Sequence, residues 1–198
     1  MDNNHSGKQS SNYINLLDNA KELFWKHGFK RVSIEEICAK SKISKMTFYR
    51  LFKNKLDIAK AIFDREIERS QLKFRELMES EELSAAEKIK KMIQMKSDGT
   101  YDISNEFLGD FYANPEIGLK DYIESQTWKA WEKGISDFEE AQSKGIFRKD
   151  FKPALLFRMA QNILPLIKDH HLIGLYDNPT ELIVDITNLM VYGIVNHD

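Results

Sequence analysis

An all-α fold follows from three features of this sequence. Apolar residues recur at helical spacing through most of its 198 residues. Alternating Val, Ile and Thr runs bounded by turn pairs, the signature of strands, are missing. Helix formers dominate, and only four prolines punctuate the chain. The length suffices for one large or two modest domains with a sizeable core.

The elements can be placed in order. Residues 1–10 are polar and read as a disordered arm. A first helix fits Asn12 to His27, with Leu16, Leu17, Ala20, Leu23 and Phe24 inward and Gly28 as its stop. Ser33 then caps a short helix, with Glu36 three residues later completing a capping box. Ile34, Ile37 and Cys38 form its inner face. Ser41-Lys42 is a turn, Ile43 an apolar plug, and Ser44 a second cap that opens KMTFYRLF. A long helix fits Lys55 to Leu77, and another, capped by Ser84 with Glu87, runs to about Lys96. SDGTYD reads as a turn, followed by a short helix over Ser104 to Tyr112. Pro115 then starts a long helix to Ser143. Two more fit Pro153 to His170, kinked at Pro165, and Pro179 to Asn196. His170 and His171 are expected to meet the carbonyls at the end of the first of these.

Charge is unevenly spread. Residues 1–60 carry 12 Lys or Arg against 6 Asp or Glu, a balance of +6. The remainder carries 17 against 25, a balance of −8. A basic first third on an acidic body suggests a local face for a polyanion. The single cysteine, Cys38, excludes an intramolecular disulfide framework and fits a small core residue. No apolar leader and no run long enough to span a bilayer is visible, so a cytoplasmic protein away from membranes is expected. His27, His170, His171 and His197 have no metal-ligand spacing, and no cofactor motif is present.

The functional signal lies in residues 28–56. Two short helical patterns separated by a tight turn form a helix-turn-helix, whose second helix can enter a major groove. Phe48 with Leu51 or Phe52 can face inward while Lys45, Met46, Thr47 and Tyr49 face out. Helix starts at Ser33, Ser44 and Lys45 suit phosphate, as do the hydroxyls of Thr47 and Tyr49 and the cations Arg50 and Lys55. The candidate DNA-binding set is therefore Ser33, Ser44, Lys45, Met46, Thr47, Tyr49, Arg50 and Lys55.

On these residues the chain resembles the tetracycline-repressor (TetR) family of bacterial transcriptional regulators. The likeness rests on Gly28-Phe29, Val32-Ser33-Ile34, Ile37 with Ala39, Ile43-Ser44-Lys45, Thr47-Phe48-Tyr49, Phe52 and Lys55-Leu56. Two positions depart from the family pattern. Lys42 stands where a turn glycine is usual, and Met46 where a glycine precedes the threonine. A lysine in a left-handed turn would be strained. The resemblance implies an all-helical homodimer of about nine helices per chain. It also implies a DNA-binding head at 11–57 and a ligand-binding and dimerisation body at 58–198.

Two features of the later chain bear on that body. Aromatic and amphipathic residues gather in its middle, and the candidate pocket is Met92, Met95, Phe107, Phe111, Tyr122, Gln126, Trp128, Trp131, Phe157 and Gln161. The same aromatics fit an ordinary core, and the pocket is mainly what the resemblance implies. A hydrophobic or aromatic small-molecule effector is expected. The last two helices are apolar around much of their circumference and suit a four-helix interface between two copies. The candidate interface is Leu156, Met159, Ile163, Ile167, Leu182, Ile186, Leu189, Met190 and Ile194.

The function these features support is a repressor that binds a palindromic operator as a dimer and is released by ligand. The alternative is a DNA-binding regulator that needs no effector or depends on a partner. An all-helical enzyme is a distant third, because no nucleophile–base pair, metal spacing or phosphate loop stands out.

Overall fold

The computed structural model describes residues 3–100, 103–104, 106–107, 109–110, 118–163, 166 and 169–194. For residues 3–10, 96, 100, 157, 160–163 and 170 it describes the backbone alone. The described residues form nine helices and no strand. These are α1 (Asn3–His27), α2 (Ile34–Ser41), α3 (Lys45–Leu51), α4 (Lys55–Glu79) and α5 (Ala85–Thr100). They continue as α6 (Leu119–Ser143), α7 (Pro153–Ile163), α8 (His170–Ile173) and α9 (Pro179–Tyr192).

Several boundaries differ from the sequence expectation. Helix α1 begins at Asn3 and takes in the polar stretch read as an arm, because each residue added to an existing helix gains a hydrogen bond. Helix α5 runs on through Ser97 to Thr100, where a turn was expected. Helix α6 starts at Leu119 because Gly118 has φ +71°, a left-handed conformation that no helix contains. His170 and His171 open α8 and do not close α7. The Asp169 carboxylate accepts from the amides of His171 (2.9 Å) and Leu172 (3.2 Å), as an N-cap does. Helix α9 ends at Tyr192, four residues early. Pro165 and its expected kink lie outside the described residues.

The chain divides into two compact units. The first takes residues 1–66 and 103–126, and the second 67–102 and 127–198. The division at residue 57 expected from the motif differs because Ile58, Ile62, Phe107 and Leu119 all pack into the core of the first unit. Leu16, Leu17, Phe24, Ile37 and Phe48 form its centre. The second core is built by Leu77, Met78, Ile89, Phe138, Phe147, Val191 and Ile194. Phe138 stacks between Phe74 at 4.8 Å and Phe147 at 5.2 Å, and α9 packs on α5.

Two polar devices fix the second unit. The buried Lys88 side chain donates to the Met78 carbonyl at 2.8 Å, closing the end of α4. The buried Gln142 amide donates to the carbonyls of Arg148 (2.9 Å) and Phe151 (3.0 Å), tying down the loop after α6.

Candidate nucleic-acid interface

The expected capping box of α2 is present in full. Ser33 accepts from the Glu36 amide at 3.2 Å, and the Glu36 carboxylate accepts from the Ser33 amide at 2.7 Å and hydroxyl at 2.8 Å. These bonds hold the Glu36 carboxyl below its ordinary range, led by the one from the Ser33 amide. A carboxylate lowered in this way stabilises the folded state above its unfolded value of 4.5, and the contribution disappears as pH falls through the lower folded value. Ser33→Ala is expected to cost about 1 kcal/mol at neutral pH. It is also expected to flatten the acid limb of the stability–pH curve, read by urea titration from pH 7 to 3. An acid limb as steep as that of the wild type would contradict the assignment.

The turn after α2 is made by Lys42, the sole non-glycine with positive φ among the described residues (φ 54°, ψ 41°). The strain expected at this position is therefore present. The Lys42 amide donates to Ala39 O at 3.2 Å and the Ile43 amide to Cys38 O at 3.0 Å, so the turn closes α2 despite the side chain. Lys42→Gly is expected to raise unfolding stability by about 0.5–1 kcal/mol, after the greater freedom of glycine in the unfolded chain offsets part of the gain. A shift of the urea midpoint checks it, and a fall in stability contradicts it.

Helix α3 is fastened from below. Phe48 is fully buried, Phe52 stacks on Tyr13 at 5.1 Å, and the Asn15 amide donates to Ser41 O at 2.8 Å. Ser44 caps α3, accepting from the Thr47 amide at 3.2 Å, and its hydroxyl lies 3.1 Å from that of Thr47. What remains outward is Lys45, Met46, Tyr49 and Arg50. Met46 is 80% exposed and Tyr49 55%. Six of the eight expected DNA-binding residues, Ser44 to Thr47 with Tyr49 and Arg50, are thus gathered on α3 and its cap.

The Lys45 ammonium pairs with Glu35 in the first turn of α2. The hydrogen bond raises the lysine and lowers the carboxyl, and both directions agree. A phosphate arriving at Lys45 must therefore compete with Glu35. Sequence reasoning missed this partner, although Glu35 stood in plain view one residue before the capping Glu36.

Lys55 is placed otherwise than expected. Its ammonium does not face outward but donates to the carbonyls of Phe29 (2.7 Å), Lys30 (3.1 Å) and Val32 (2.8 Å). An ammonium has three donors, and all three are spent on the α1–α2 loop. It also lies 4.6 Å from the centre of the Phe29 ring. Burial pushes its pKa below the ordinary lysine value. Ser33 is likewise engaged in its own cap. Lys55 ties the loop in this structure.

The expected pocket residues fall into different units. Phe107 belongs to the first core, 4.7 Å from the centre of Trp25 and 6.1 Å from that of Phe63. Tyr122, also in the first unit, donates to Asp64 at 2.7 Å, and the Lys60 ammonium lies 4.6 Å from its ring centre. Burial, then the Asp64 bond, pushes the Tyr122 phenol up to about 12. Gln126 is half-buried in the same unit. Met92, Met95 and Trp131 pack against the second core, and the Arg158 guanidinium lies 4.4 Å from the ring centre of Trp128. Phe111 and the side chains of Phe157 and Gln161 lie outside the described residues. Phe107 thus packs in the first core, in keeping with the ordinary-core reading that the sequence also allowed.

The candidate dimer residues also separate. Leu182 and Ile194 are buried within the chain itself. Leu156 packs against the second core, and Ile186 and Met190 are half-buried. Met159 at 53% and Leu189 at 79% remain exposed, joined by Leu155 and Tyr192. Ile167 and the side chain of Ile163 lie outside the described residues. No described helix is long and apolar enough to cross a membrane.

Comparison with known proteins points the same way. Residues 16–62 match bacterial regulatory proteins, tetR family. The transposon Tn10 TetC protein of Escherichia coli is 37% identical over 57 residues, which is 29% of each chain. The fatty acid degradation regulator FadR from Bacillus halodurans shares the fold, with a TM-score of 0.64 at 20% identity over 92% of this chain and 95% of that one. FadR from Bacillus subtilis, solved with stearoyl-CoA, has a TM-score of 0.60 at 17% identity, over 92% and 99% of the two chains.

Proposed function

We propose that this chain, whose residues 16–62 match the tetR family of bacterial regulatory proteins, is a homodimeric repressor of transcription released by a small hydrophobic or aromatic ligand. The family is one of regulators, not of enzymes. The observation that carries the DNA-binding reading is the division of α3. Phe48 is locked in the core while Met46, Tyr49 and Arg50 are exposed on the outward face. A short helix so held presents base-reading and phosphate-reading groups at a fixed angle.

One such helix makes few contacts, and a second copy roughly doubles the phosphate grip. Exposed Leu155, Met159, Leu189 and Tyr192 on α7 and α9 supply apolar surface for pairing. Two heads then read half-sites roughly 34 Å apart, a palindrome. The effector class rests on the half-buried aromatics Trp128 and Trp131, with the acyl-thioester ligand of Bacillus subtilis FadR as a precedent on the same fold.

The test is selection of duplexes from a randomised pool by the full chain, followed by affinity against salt. The expected result is an inverted repeat bound by a dimer, with log K falling linearly in log salt. No enrichment over competitor DNA rejects the reading. A panel of long-chain acyl thioesters and aromatic acids is then added to the complex. Release by a member supports the effector, and a complex indifferent to all of them favours the effector-independent alternative.

A further inference from the structure

We infer that Met46 reads the 5-methyl group of a thymine in the major groove, once in each half-site; the inference rests on the DNA-binding reading above. Met46 is the second residue of α3, in the part of a recognition helix that meets base edges. At 80% exposure it is left uncovered by the described residues. Its neighbours are already engaged: Lys45 with Glu35, and Thr47 with the Ser44 hydroxyl at 3.1 Å. Helical spacing sets Met46 beside Tyr49 and Arg50, so it is the one apolar group on a face otherwise polar.

The groove has a single chemical answer to such a group. Guanine, cytosine and adenine present only donors and acceptors along their major-groove edges, and thymine alone adds a methyl. A thioether chain has no donor. Pressed against a polar edge, it would strip water and return no hydrogen bond, which costs free energy. Against a thymine methyl it buries apolar surface on both sides. Attraction to one base and a penalty for the other three therefore arise from the same side chain.

The experiment uses the full chain and the duplex enriched from a randomised pool. Each thymine is replaced by deoxyuridine in turn, which removes the methyl and leaves every hydrogen-bonding group in place. The wild type is expected to lose about fourfold in affinity at one thymine per half-site, the value of one buried methyl, and about fifteenfold when both are changed. The Met46→Ala variant, altered at an exposed position, is expected to bind thymine and uracil duplexes equally. Wild-type indifference to every replacement overturns the inference. So does an equal loss in Met46→Ala at the same thymine, or an enriched site with no thymine in either half. In each of these cases DNA binding itself survives. Failure to enrich any duplex brings down the DNA-binding reading, and this inference with it.

Discussion

Phe107→Ala is expected to lower the free energy of unfolding by about 3–5 kcal/mol, the cost of emptying a buried aromatic site. Phe107 is 5% exposed and sits among Trp25, Phe63 and the rest of the first core. Its ring lies 4.7 Å from that of Trp25, centre to centre. The backbone around it is held as well: the Ser104 amide donates to Trp25 O at 2.9 Å, and the Phe107 amide to the Ser104 hydroxyl at 3.1 Å. Ser104 and Phe107 are therefore fastened to α1, and losing the ring loosens that attachment. Urea denaturation followed by circular dichroism measures the effect. A loss below about 1 kcal/mol, far under the range for such truncations, would instead mark Phe107 as a pocket wall.

Lys55→Met is expected to cost about 2–3 kcal/mol, because three loop carbonyls lose their donor at once while the aliphatic stem is kept. The estimate sits low in the range for three acceptors because the Lys30 carbonyl is open to solvent. The substitution also separates a loop tie from a phosphate grip. Measured where the variant is folded, the slope of log K against log salt should match that of the wild type. Arg50→Ala, which removes an outward cation, should reduce it by about one phosphate per protomer. A slope lowered by Lys55→Met would restore Lys55 to the phosphate-binding set. The pH behaviour gives a second check. Burial lowers the folded pKa below 10.5, so between the folded value and 10.5 the unfolded chain binds more protons. This group therefore adds stability as pH rises through that alkaline window. In Lys55→Met that alkaline gain should be absent.

The first unit shows how local and distant effects divide. Gly28 was legible as a helix stop, and it has φ +82°. A Cβ there would also lie 2.8 Å from the Asp110 carboxylate, which accepts from the Lys30 amide at 2.7 Å. No local pattern announces a neighbour 80 residues away. Trp25 was missed as a core residue for a related reason. It falls outside the helical stripe of α1, yet Phe63 and Phe107 cover it at 5.3 and 4.7 Å. The division of the outer helices was likewise hidden, since Leu182 and Leu189 look alike in sequence but are 1% and 79% exposed.

By itself the sequence determined the all-α class, the capping box at Ser33, the turn at Ser41-Lys42 and the inward Phe48. These are set by residues within one or two helical turns of each other, where spacing and side-chain chemistry suffice. Only the tertiary structure decided which cations are free. Lys45, Arg50 and Lys55 all read as cations in the sequence. Glu35 holds the first, nothing among the described residues holds the second, and carbonyls more than 20 residues away take every donor of the third. An ammonium goes to whichever acceptors the fold brings within 3 Å or so, and that distance is a property of packing, not of the local sequence.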